Sequence, residues 1–255
     1  MLFTTAGMED FISGVILFEE TLFQKSSDGT PFSKLLGDKG VIPGIKVDKG
    51  AKPLAGAEGE TVTEGLDGLR ERLIEYRNAG ARFAKWRAVI TIGDGIPTDY
   101  CIQANAHALA RYAALCQEQD IVPIVEPEVL MDADNSLEVC EDVTSRTLQA
   151  VFAELDRQGV LLEGMLLKPN MVISGKKCAT QADVQAVAEA TVRTLKRYVP
   201  SAVPGIVFLS GGQSDALATA HLDAMNKLGP LPWALSFPSG RALQAPALAA
   251  WGGQN

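Results

Sequence analysis

The alternation of short apolar runs with amphipathic stretches limits the possible folds of this chain more than any other feature. Seven of the runs have the length and composition of buried β-strands. They are GVILF from Gly14, PGIKV from Pro43, FAKWRAVI from Phe83, VPIVEPEV from Val122, GMLLK from Gly164, GIVFLS from Gly205 and PWALSF from Pro232. Strands that alternate with helices predict a parallel sheet with right-handed crossover connections.

The segments between these runs carry apolar residues at helical spacing. The pattern starts with Leu66, Leu69, Leu73 and Tyr76 and continues over residues 101–119, 136–158, 180–198 and 213–228. Gly80 is the expected C-cap of the first helix, and Thr180 with Asp183 predicts a capping box for the helix at 180–198. Turns are predicted at Asp28-Gly29 and at residues 37–40.

Together these elements predict an α/β fold of the TIM (β/α)8 barrel type, with residues 1–255 in a single domain. No linker, low-complexity tract or block of charge divides the chain. A closed barrel of this type has eight strands, whereas residues 1–13 contain no strand candidate of comparable quality. We therefore expect an incomplete barrel in which seven of the eight strands are present.

The overall charge excludes some classes of partner. A net charge of -8 and a pI near 4.9 argue against nucleic acid or an anionic membrane as a partner. An acidic protein still binds a phosphorylated substrate where its cations are concentrated in one cleft. No apolar run approaches the ~18 residues of a membrane helix. The amino-terminal residues lack the regions of a secretory signal, so we expect a cytoplasmic protein.

The cysteines and histidines do not have the spacing of a metal site. The cysteines, none of them in a C-x-x-C pair, are Cys101, Cys116, Cys140 and Cys178. They are interpreted as reduced core residues of a cytosolic protein. His107 and His221 lie on separate predicted helices. We expect neither a metal nor a cofactor.

Polar side chains follow one predicted strand after another, at or near the point where each strand ends. They are Lys46 and Asp48, Lys85 and Arg87, Glu126 and Glu128, Lys168, the turn of Ser210, Gly211 and Gly212, and Gly240 with Arg241. The carboxyl ends of parallel barrel strands meet at one face, and active sites of such folds lie there. The sequence therefore predicts one active site built from these residues.

Lys168 is the predicted nucleophile of this site. It follows the apolar run GMLL and precedes a proline. A lysine among apolar neighbours loses solvation, which favours its neutral and nucleophilic amine. The alternative for an isolated Lys-Pro is a strand-edge lysine that reaches water, because buried lysines are rare. The polar residues at the other strand ends favour the catalytic interpretation.

Glu126 and Glu128 are the predicted acid and base groups. Two residues apart on a strand, they point to the same face. Repulsion between two inward carboxylates favours protonation of one of them, which suits proton transfer. The alternative is a pair of glutamates that flank a proline in a solvated loop.

Two further pairs also share a face, Lys85 with Arg87 and Lys46 with Asp48. Cations near Lys168 would favour its neutral form further, and Asp48 would balance part of their charge. For each pair taken alone, a structural salt bridge explains the residues equally well. The prediction of catalysis therefore depends on the convergence of all these pairs.

The glycine-rich segments near the end of the chain predict a phosphate site. LSGGQS, from Leu209 to Ser214, is a glycine-rich turn at the start of the helix predicted at 213–228, and SGR follows the next strand. Backbone amides at a helix N-terminus bind phosphate, and an arginine adds a charge-assisted fork. A lone Ser-Gly-Gly is a common turn, but the loops after the last two strands of such barrels are frequent phosphate sites. The combination suits Schiff-base carbon–carbon bond chemistry on a phosphorylated ketone without a metal.

These residues lie in motifs that resemble those of class I fructose-bisphosphate aldolases. The similar runs, from about Ile12 to Trp251 and in the family's order, are GVILFEETL, PGIKVDKG, GLDGL, FAKWR, IVPIVEPE, LLKPNMV, FLSGGQS, PWALSF and GRALQ. LLKPNM together with IVPIVEPE is a highly specific pair. The resemblance implies reversible cleavage of fructose 1,6-bisphosphate to dihydroxyacetone phosphate and glyceraldehyde 3-phosphate in glycolysis and gluconeogenesis. It also implies a homo-oligomer, which is a tetramer in the family.

The resemblance further implies a role for each residue of the predicted site. Lys168 would form the Schiff base, Glu126 would serve carbinolamine dehydration, and Lys85 would lie beside the reacting carbons. The residues that would line or buttress the site are Lys46, Asp48, Arg87 and Glu128. Those that would hold the phosphate next to the ketone are Ser210, Gly211, Gly212, Gly240 and Arg241.

The chain departs from the family's pattern near both ends. It lacks the family's first strand, which ends in a catalytic Ala-Ala-Asp-Glu-Ser type run, and the C-terminal tail with its functional tyrosine. FPSGR also lacks the aromatic residue expected before the glycine. We therefore expect little or no cleavage by these residues alone. The alternatives are an impaired barrel that only binds a phosphorylated ligand or a partner protein, and a Schiff-base lyase for another phosphorylated ketose.

Overall fold

The computed structural model describes residues 3, 7–237, 249 and 252 of the chain. Its strands are β1 (Gly14–Leu17), β2 (Ile42–Lys46), β3 (Ala51–Pro53), β4 (Thr61–Thr63), β5 (Phe83–Ile90), β6 (Val122–Val129), β7 (Leu166–Leu167), β8 (Gly205–Val207) and β9 (Ala234–Ser236). β3 and β4 form a separate antiparallel hairpin. The other seven form one parallel sheet in chain order, which confirms the predicted α/β fold with seven barrel strands. Within the described ranges, β1 and β9 each pair with one strand only.

The helices of the described part lie between these strands. They are α1 (Glu19–Phe23), α2 (Phe32–Asp38), α3 (Leu69–Asn78), α4 (Asp99–Glu118), α5 (Leu137–Arg157), α6 (Val184–Tyr198) and α7 (Asp215–Lys227). Helices α3 to α7 confirm the five predicted segments, whereas α1, α2 and the hairpin are additional to the prediction. The turn predicted at residues 37–40 is partly wrong, because α2 continues to Asp38 and only Lys39 and Gly40 form the turn.

The helix ends show why two local predictions had different outcomes. Gly80 has a φ of +108°, and the N–H of Ala81 donates to the carbonyl of Tyr76 at 2.9 Å, so Gly80 ends α3 as predicted. The capping box starting at Thr180 is wrong, because Asp183 is itself the N-cap of α6. Its carboxylate accepts from the N–H of Ala186 at 2.8 Å.

The outward face of the sheet carries the apolar core. Trp86 of β5 is fully buried and stacks on Tyr112 of α4, with ring centroids 5.6 Å apart. The hydroxyl of Tyr112 donates to the carbonyl of Ala84 at 2.8 Å, which satisfies the polar atom of a buried side chain. Strands and helices are therefore fixed to one another mainly on this outer side.

At the amino ends of the strands, the inner face is apolar. The ring of Phe83 lies against Gly44 of β2, where an added Cβ would come within 2.3 Å of the ring. A Cβ at Gly14 of β1 would lie 3.1 Å from the same ring. These glycines give Phe83 the space to fill this end, which leaves the carboxyl ends for polar side chains.

Three of the four cysteines are buried. Cys101, Cys116 and Cys140 lie on α4 and α5, whereas Cys178 is half-buried in a loop. Burial raises the pKa of the Cys101 thiol to about 11 and also raises the pKa of Cys116. No helix of the described residues combines the length and apolarity needed to cross a membrane.

Candidate active site

Strand register brings the predicted catalytic residues together at the carboxyl ends of β2, β5, β6 and β7. Lys46 of β2 lies opposite Lys85 of β5, and Arg87 of β5 lies opposite Glu126 of β6. The N–H of Lys168 donates to the carbonyl of Val125 at 2.8 Å, which aligns the end of β7 with β6. Because side chains alternate along a strand, the charged residues point inward while their apolar neighbours point to the core.

Lys168 is held by a carboxylate inside the site. Its ammonium group hydrogen-bonds Oε1 of Glu126, and its side chain is only 14% exposed. A strand-edge lysine that reaches bulk water would be far more exposed, so that alternative is wrong. The amine lies within reach of a proton acceptor in a partly desolvated site, as a lysine nucleophile requires.

Glu126 lies between two lysines. Its other oxygen, Oε2, is 3.0 Å from Nζ of Lys85, and its side chain is 3% exposed. Glu128 is also buried and pairs with Nε of Arg87. Both carboxylates therefore point into the site, and the alternative of a solvated loop is wrong.

Lys85 is a buried cation of the site. Desolvation by burial lowers its pKa, while the negative charges of Glu126 and Asp48 act in the opposite direction. The positive charge of Lys168 also acts to lower this pKa. Lys85 is 3.0 Å from Glu126 and 3.9 Å from Asp48, so it connects the two carboxylates.

Asp48 is fixed by hydrogen bonds from side chains and backbone. Its Oδ1 accepts from Nζ of Lys46 at 2.6 Å and from the N–H of Gly50 at 3.2 Å. Its Oδ2 accepts from the N–H of Arg87 at 3.3 Å. Lys46 and Asp48 therefore form a salt bridge within their pair, whereas Lys85 and Arg87 form salt bridges with carboxylates of other strands, so the pairs join into one network.

The network contains more positive than negative groups. Its four cations are Lys46, Lys85, Arg87 and Lys168, and its three carboxylates are Asp48, Glu126 and Glu128. If all are ionised, one positive charge is in excess, although the whole chain has a net charge of -8. This local excess suits an anionic ligand.

The predicted phosphate turn, formed by Ser210, Gly211 and Gly212, lies next to this network. The N–H of Leu209 donates at 3.3 Å to the carbonyl of Pro169, the residue that follows Lys168. A Cβ added at Gly211 would lie 3.5 Å from Oε1 of Glu128. The turn leads into α7, whose N-cap is Ser214. The structure thus brings the turn to the same end of the sheet as Lys168.

Gly212 occupies a position that excludes any side chain. Its φ is +80°, and an added Cβ would lie 2.2 Å from Cγ of Met131. Met131 is a buried packing residue that no sequence motif indicates. Gly240 and Arg241, the remaining predicted phosphate residues, lie outside the described residues.

Two further residues support the site without having been predicted. Asn170 is buried, accepts from the N–H of Val129 at 3.0 Å and donates to Oγ1 of Thr144 at 3.0 Å. It ties the end of β6 to the loop after Lys168. Arg72 of α3 donates to the carbonyl of Val47 at 3.0 Å, just before Asp48. Asn170 could have been predicted as a site residue because it lies within LLKPNM. Arg72 could not, because nothing in the sequence distinguishes it from the other arginines of its helix.

Among the residues whose positions are described, no group of three or more His, Cys, Asp and Glu side chains could hold a metal ion. The charged residues of the site are instead paired with one another. The arrangement can transfer a proton between Lys168 and Glu126 and can attract an anion.

A parallel barrel sheet with paired lysines and carboxylates at its carboxyl ends defines an α/β-barrel enzyme. Residues 1–255 match the family model described as fructose-bisphosphate aldolase class-I. The chain therefore belongs to the class I fructose-bisphosphate aldolase family, as its motifs indicated.

Named relatives agree with this assignment. The chain is 63% identical over 251 residues to a probable fructose-bisphosphate aldolase class 1 of Xanthomonas campestris pv. campestris, covering 98% of this chain and 75% of that protein. It is 58% identical to the cytosolic fructose-bisphosphate aldolase 6 of Arabidopsis thaliana, covering 100% of this chain and 71% of that protein. Fructose-bisphosphate aldolase of Plasmodium falciparum, solved in complex with TRAP and a small-molecule inhibitor, is similar with a TM-score of 0.96 and 55% identity. That match covers 99% of this chain and 74% of the solved one.

Proposed function

We propose that this site carries out the reversible Schiff-base cleavage of fructose 1,6-bisphosphate to dihydroxyacetone phosphate and glyceraldehyde 3-phosphate. The observation that carries the proposal is the contact between the Lys168 amine and the buried carboxylate of Glu126. Membership of the aldolase family supports the substrate and the reaction. On this proposal Lys168 is the nucleophile.

The first chemical step transfers a proton and forms a carbon–nitrogen bond. Lys168 gives a proton to Glu126 and attacks the C2 ketone as a neutral amine, which yields a carbinolamine. Glu126 then returns its proton to the carbinolamine hydroxyl, which leaves as water, and an iminium ion remains. A carboxylate in contact with the amine is well placed for both transfers.

The iminium ion then accepts the electron pair of the C3–C4 bond. The C4 hydroxyl gives its proton to the carboxylate of Glu126, which is ionised again after the dehydration, the aldehyde leaves, and an enamine remains on Lys168. Lys85, between Glu126 and Asp48, supplies positive charge beside these carbons. Lys46, Arg87, Asp48 and Glu128 position the network through their ion pairs.

The phosphate next to the ketone would bind at the turn after β8. Ser210, Gly211 and Gly212 offer backbone amides beside the positive network, and α7 follows directly. By resemblance, Gly240 and Arg241 would complete this phosphate site. A phosphate held there would place the ketone carbon near Lys168.

We further propose that residues 1–255 act as a single barrel domain of a cytoplasmic homo-oligomer in glycolysis and gluconeogenesis. The cytosolic name of the Arabidopsis thaliana relative supports the compartment. No metal or cofactor takes part in the proposed reaction, and a chelator should leave any activity unchanged.

The proposal is tested by assaying cleavage in the unchanged chain and in Lys168→Arg, whose guanidinium stays protonated and cannot attack. Lys227→Arg is the control, because Lys227 is an exposed partner of Asp223 on α7. Cleavage that is lost only in Lys168→Arg supports the proposed reaction. Activity that survives in Lys168→Arg, or that is lost to a chelator and restored by zinc, would overturn it. If the unchanged chain shows the little or no cleavage expected from its sequence, a borohydride-trapped adduct of dihydroxyacetone phosphate on Lys168 still supports the proposed Schiff base. Binding of dihydroxyacetone phosphate without an adduct would instead favour a ligand-binding barrel.

A further inference from the structure

The turn that would bind phosphate has little side-chain material of its own to hold it. Two of its three residues are glycines, and Gly212 needs a left-handed backbone. Glycines have more conformational freedom than other residues, so a turn made of them loses more entropy when it is fixed around a ligand. Neighbouring residues must therefore hold the turn in shape before the ligand arrives.

Gln213 follows the turn and anchors it on two sides. Its backbone N–H donates to the carbonyl of Ser210 at 3.2 Å, which closes the turn. Its side-chain Nε2 points to Sδ of Met171 at 3.6 Å, and Met171 is fully buried three residues after Lys168. The Gln213 side chain thus links the phosphate turn to the loop that carries the nucleophile.

His221 holds the other end of the same amide. Its Nδ1 lies 2.6 Å from Oε1 of Gln213, and the residue is 2% exposed in the middle of α7. Since Oε1 only accepts, Nδ1 carries the proton and donates it. Burial lowers the pKa of His221, which keeps the ring neutral and uncharged in this position. Its Nε2 has no hydrogen-bond partner among the described residues, so the bond to Gln213 is the polar contact that orients the ring.

We infer that His221 is a positioning residue for phosphate recognition, acting through Gln213 on the turn of Ser210, Gly211 and Gly212. It would strengthen binding of the substrate's phosphate and would not take part in the reaction at Lys168. The inference rests on the proposed function, because the turn is a phosphate site only by that proposal. His221 would thus contribute to the affinity for the phosphate although it is buried in a helix and lies far from Lys168 along the chain.

The test compares two ketones that differ only in the phosphate. Dihydroxyacetone phosphate and dihydroxyacetone are each trapped on Lys168 with borohydride, and the half-saturating concentration is measured. His221→Phe keeps an aromatic ring but removes the donor, and Gln213→Leu removes the acceptor. Loss of one hydrogen bond should raise the half-saturating concentration of dihydroxyacetone phosphate about two- to tenfold in each variant.

Four controls make this result specific. The value for dihydroxyacetone should not change, because that ketone has no phosphate to position. The double variant should be no worse than Gln213→Leu, because that substitution alone already removes the bond to His221. His221→Gln, whose amide N–H can still donate, should recover most of the affinity, and His107→Phe on α4 should behave as the unchanged chain.

An equal shift for both ketones, or no shift for dihydroxyacetone phosphate, would overturn the inference. If His221→Phe does not fold, Gln213→Leu and His221→Gln test the inference instead. Gln213→Leu should weaken binding of dihydroxyacetone phosphate, and His221→Gln should keep most of it. If the unchanged chain forms no adduct with either ketone, the proposed function fails and not this inference. The inference about His221 is then tested by titration with inorganic phosphate, followed at the amide resonances of Gly211 and Gly212. Binding should weaken by the same factor in His221→Phe, and unchanged binding would contradict the inference.

Discussion

Lys85 and Trp86 are consecutive residues of β5, yet they belong to opposite environments. Trp86 points outward, is fully buried and stacks on Tyr112. Lys85 points inward and lies between the carboxylates of Glu126 and Asp48. The same alternation recurs on β6, where Val125 belongs to the core and Glu126 belongs to the charged network. The two faces of one sheet are therefore built from different physical interactions.

The difference separates stability from chemistry. Apolar burial on the outer face stabilises the barrel, whereas gathering buried charges on the inner face gives little net stabilisation because desolvation opposes their attraction. The charged network on the inner face therefore serves the chemistry, and the apolar packing on the outer face supplies the stability that keeps the network in place. Substitutions on the outer face should mainly lower the free energy of unfolding, and substitutions of the charged residues on the inner face should mainly lower the rate of Schiff-base formation.

The largest expected effect is on the inner face, in Glu126→Gln. A neutral amide cannot exchange a proton with Lys168, so Schiff-base formation should slow by about 10²–10⁴-fold. The rate of borohydride-trapped adduct formation measures this, and circular dichroism checks that the fold is kept. Glu128→Gln is the matched control and should slow the step much less. An unchanged rate in Glu126→Gln would move the role to Glu128 or to a bound water.

The matching change on the outer face is Trp86→Ala. Removing a fully buried aromatic side chain should lower the free energy of unfolding by about 3–5 kcal/mol. Urea unfolding measures the loss, and Trp86→Phe should lose less because part of the stacking on Tyr112 remains. Under conditions where the variant stays folded, Lys168 should still be trapped. A stable variant that no longer traps the ketone would refute the separation of the two faces.

Gly44→Ala tests the apolar end of the inner face. The added Cβ would come within 2.3 Å of the Phe83 ring, so overpacking should destabilise the protein by about 1–3 kcal/mol. Phe83→Leu should relieve this cost when the two are combined, which a double-mutant cycle would reveal as coupling. Additive effects of Gly44→Ala and Phe83→Leu on the free energy of unfolding would show that the Phe83 ring moves away from the added Cβ.

A smaller effect is expected in the pH dependence of stability. The folded state lowers the pKa of Lys85, so this lysine releases its proton in the folded protein before it does in the unfolded chain, where its pKa is near 10.5. The unfolded state then binds more protons, and the contribution to stability rises as the pH increases towards that value. Relative to Lys85→Arg, which stays charged, the unchanged chain should gain at most about 1.4 kcal/mol per pH unit. A difference independent of pH would contradict the lowered pKa.

The sequence predicted the sheet because each of its seven strands is a run of apolar or alternating residues bounded by turns. It did not predict the β3–β4 hairpin, whose three-residue strands include Pro53 and are too short for a periodic pattern. Thr180 was a poor choice of cap because Asp183, also a capping residue, lies closer to the helix. Local patterns contain no information on which of two suitable caps the chain will use.

The charged network was predictable because each member stands at a strand end, and parallel register brings strand ends together. Arg72 and His221 were not selected for the site, because their contacts depend on how a helix packs against a loop from another part of the chain. Such contacts leave no periodic signal in the sequence. Lys168 and Glu126, in contrast, were expected together and lie in contact.

The central claim, that the inner face supplies a nucleophilic amine at Lys168, is tested most directly by trapping. The chain is incubated with dihydroxyacetone phosphate, reduced with borohydride, digested and mapped by mass spectrometry. We predict that the reduced adduct lies on Lys168 alone, and that Lys168→Arg forms none while remaining folded. An adduct mainly on Lys46 or Lys85 would contradict the account, because either would place the nucleophile elsewhere in the network.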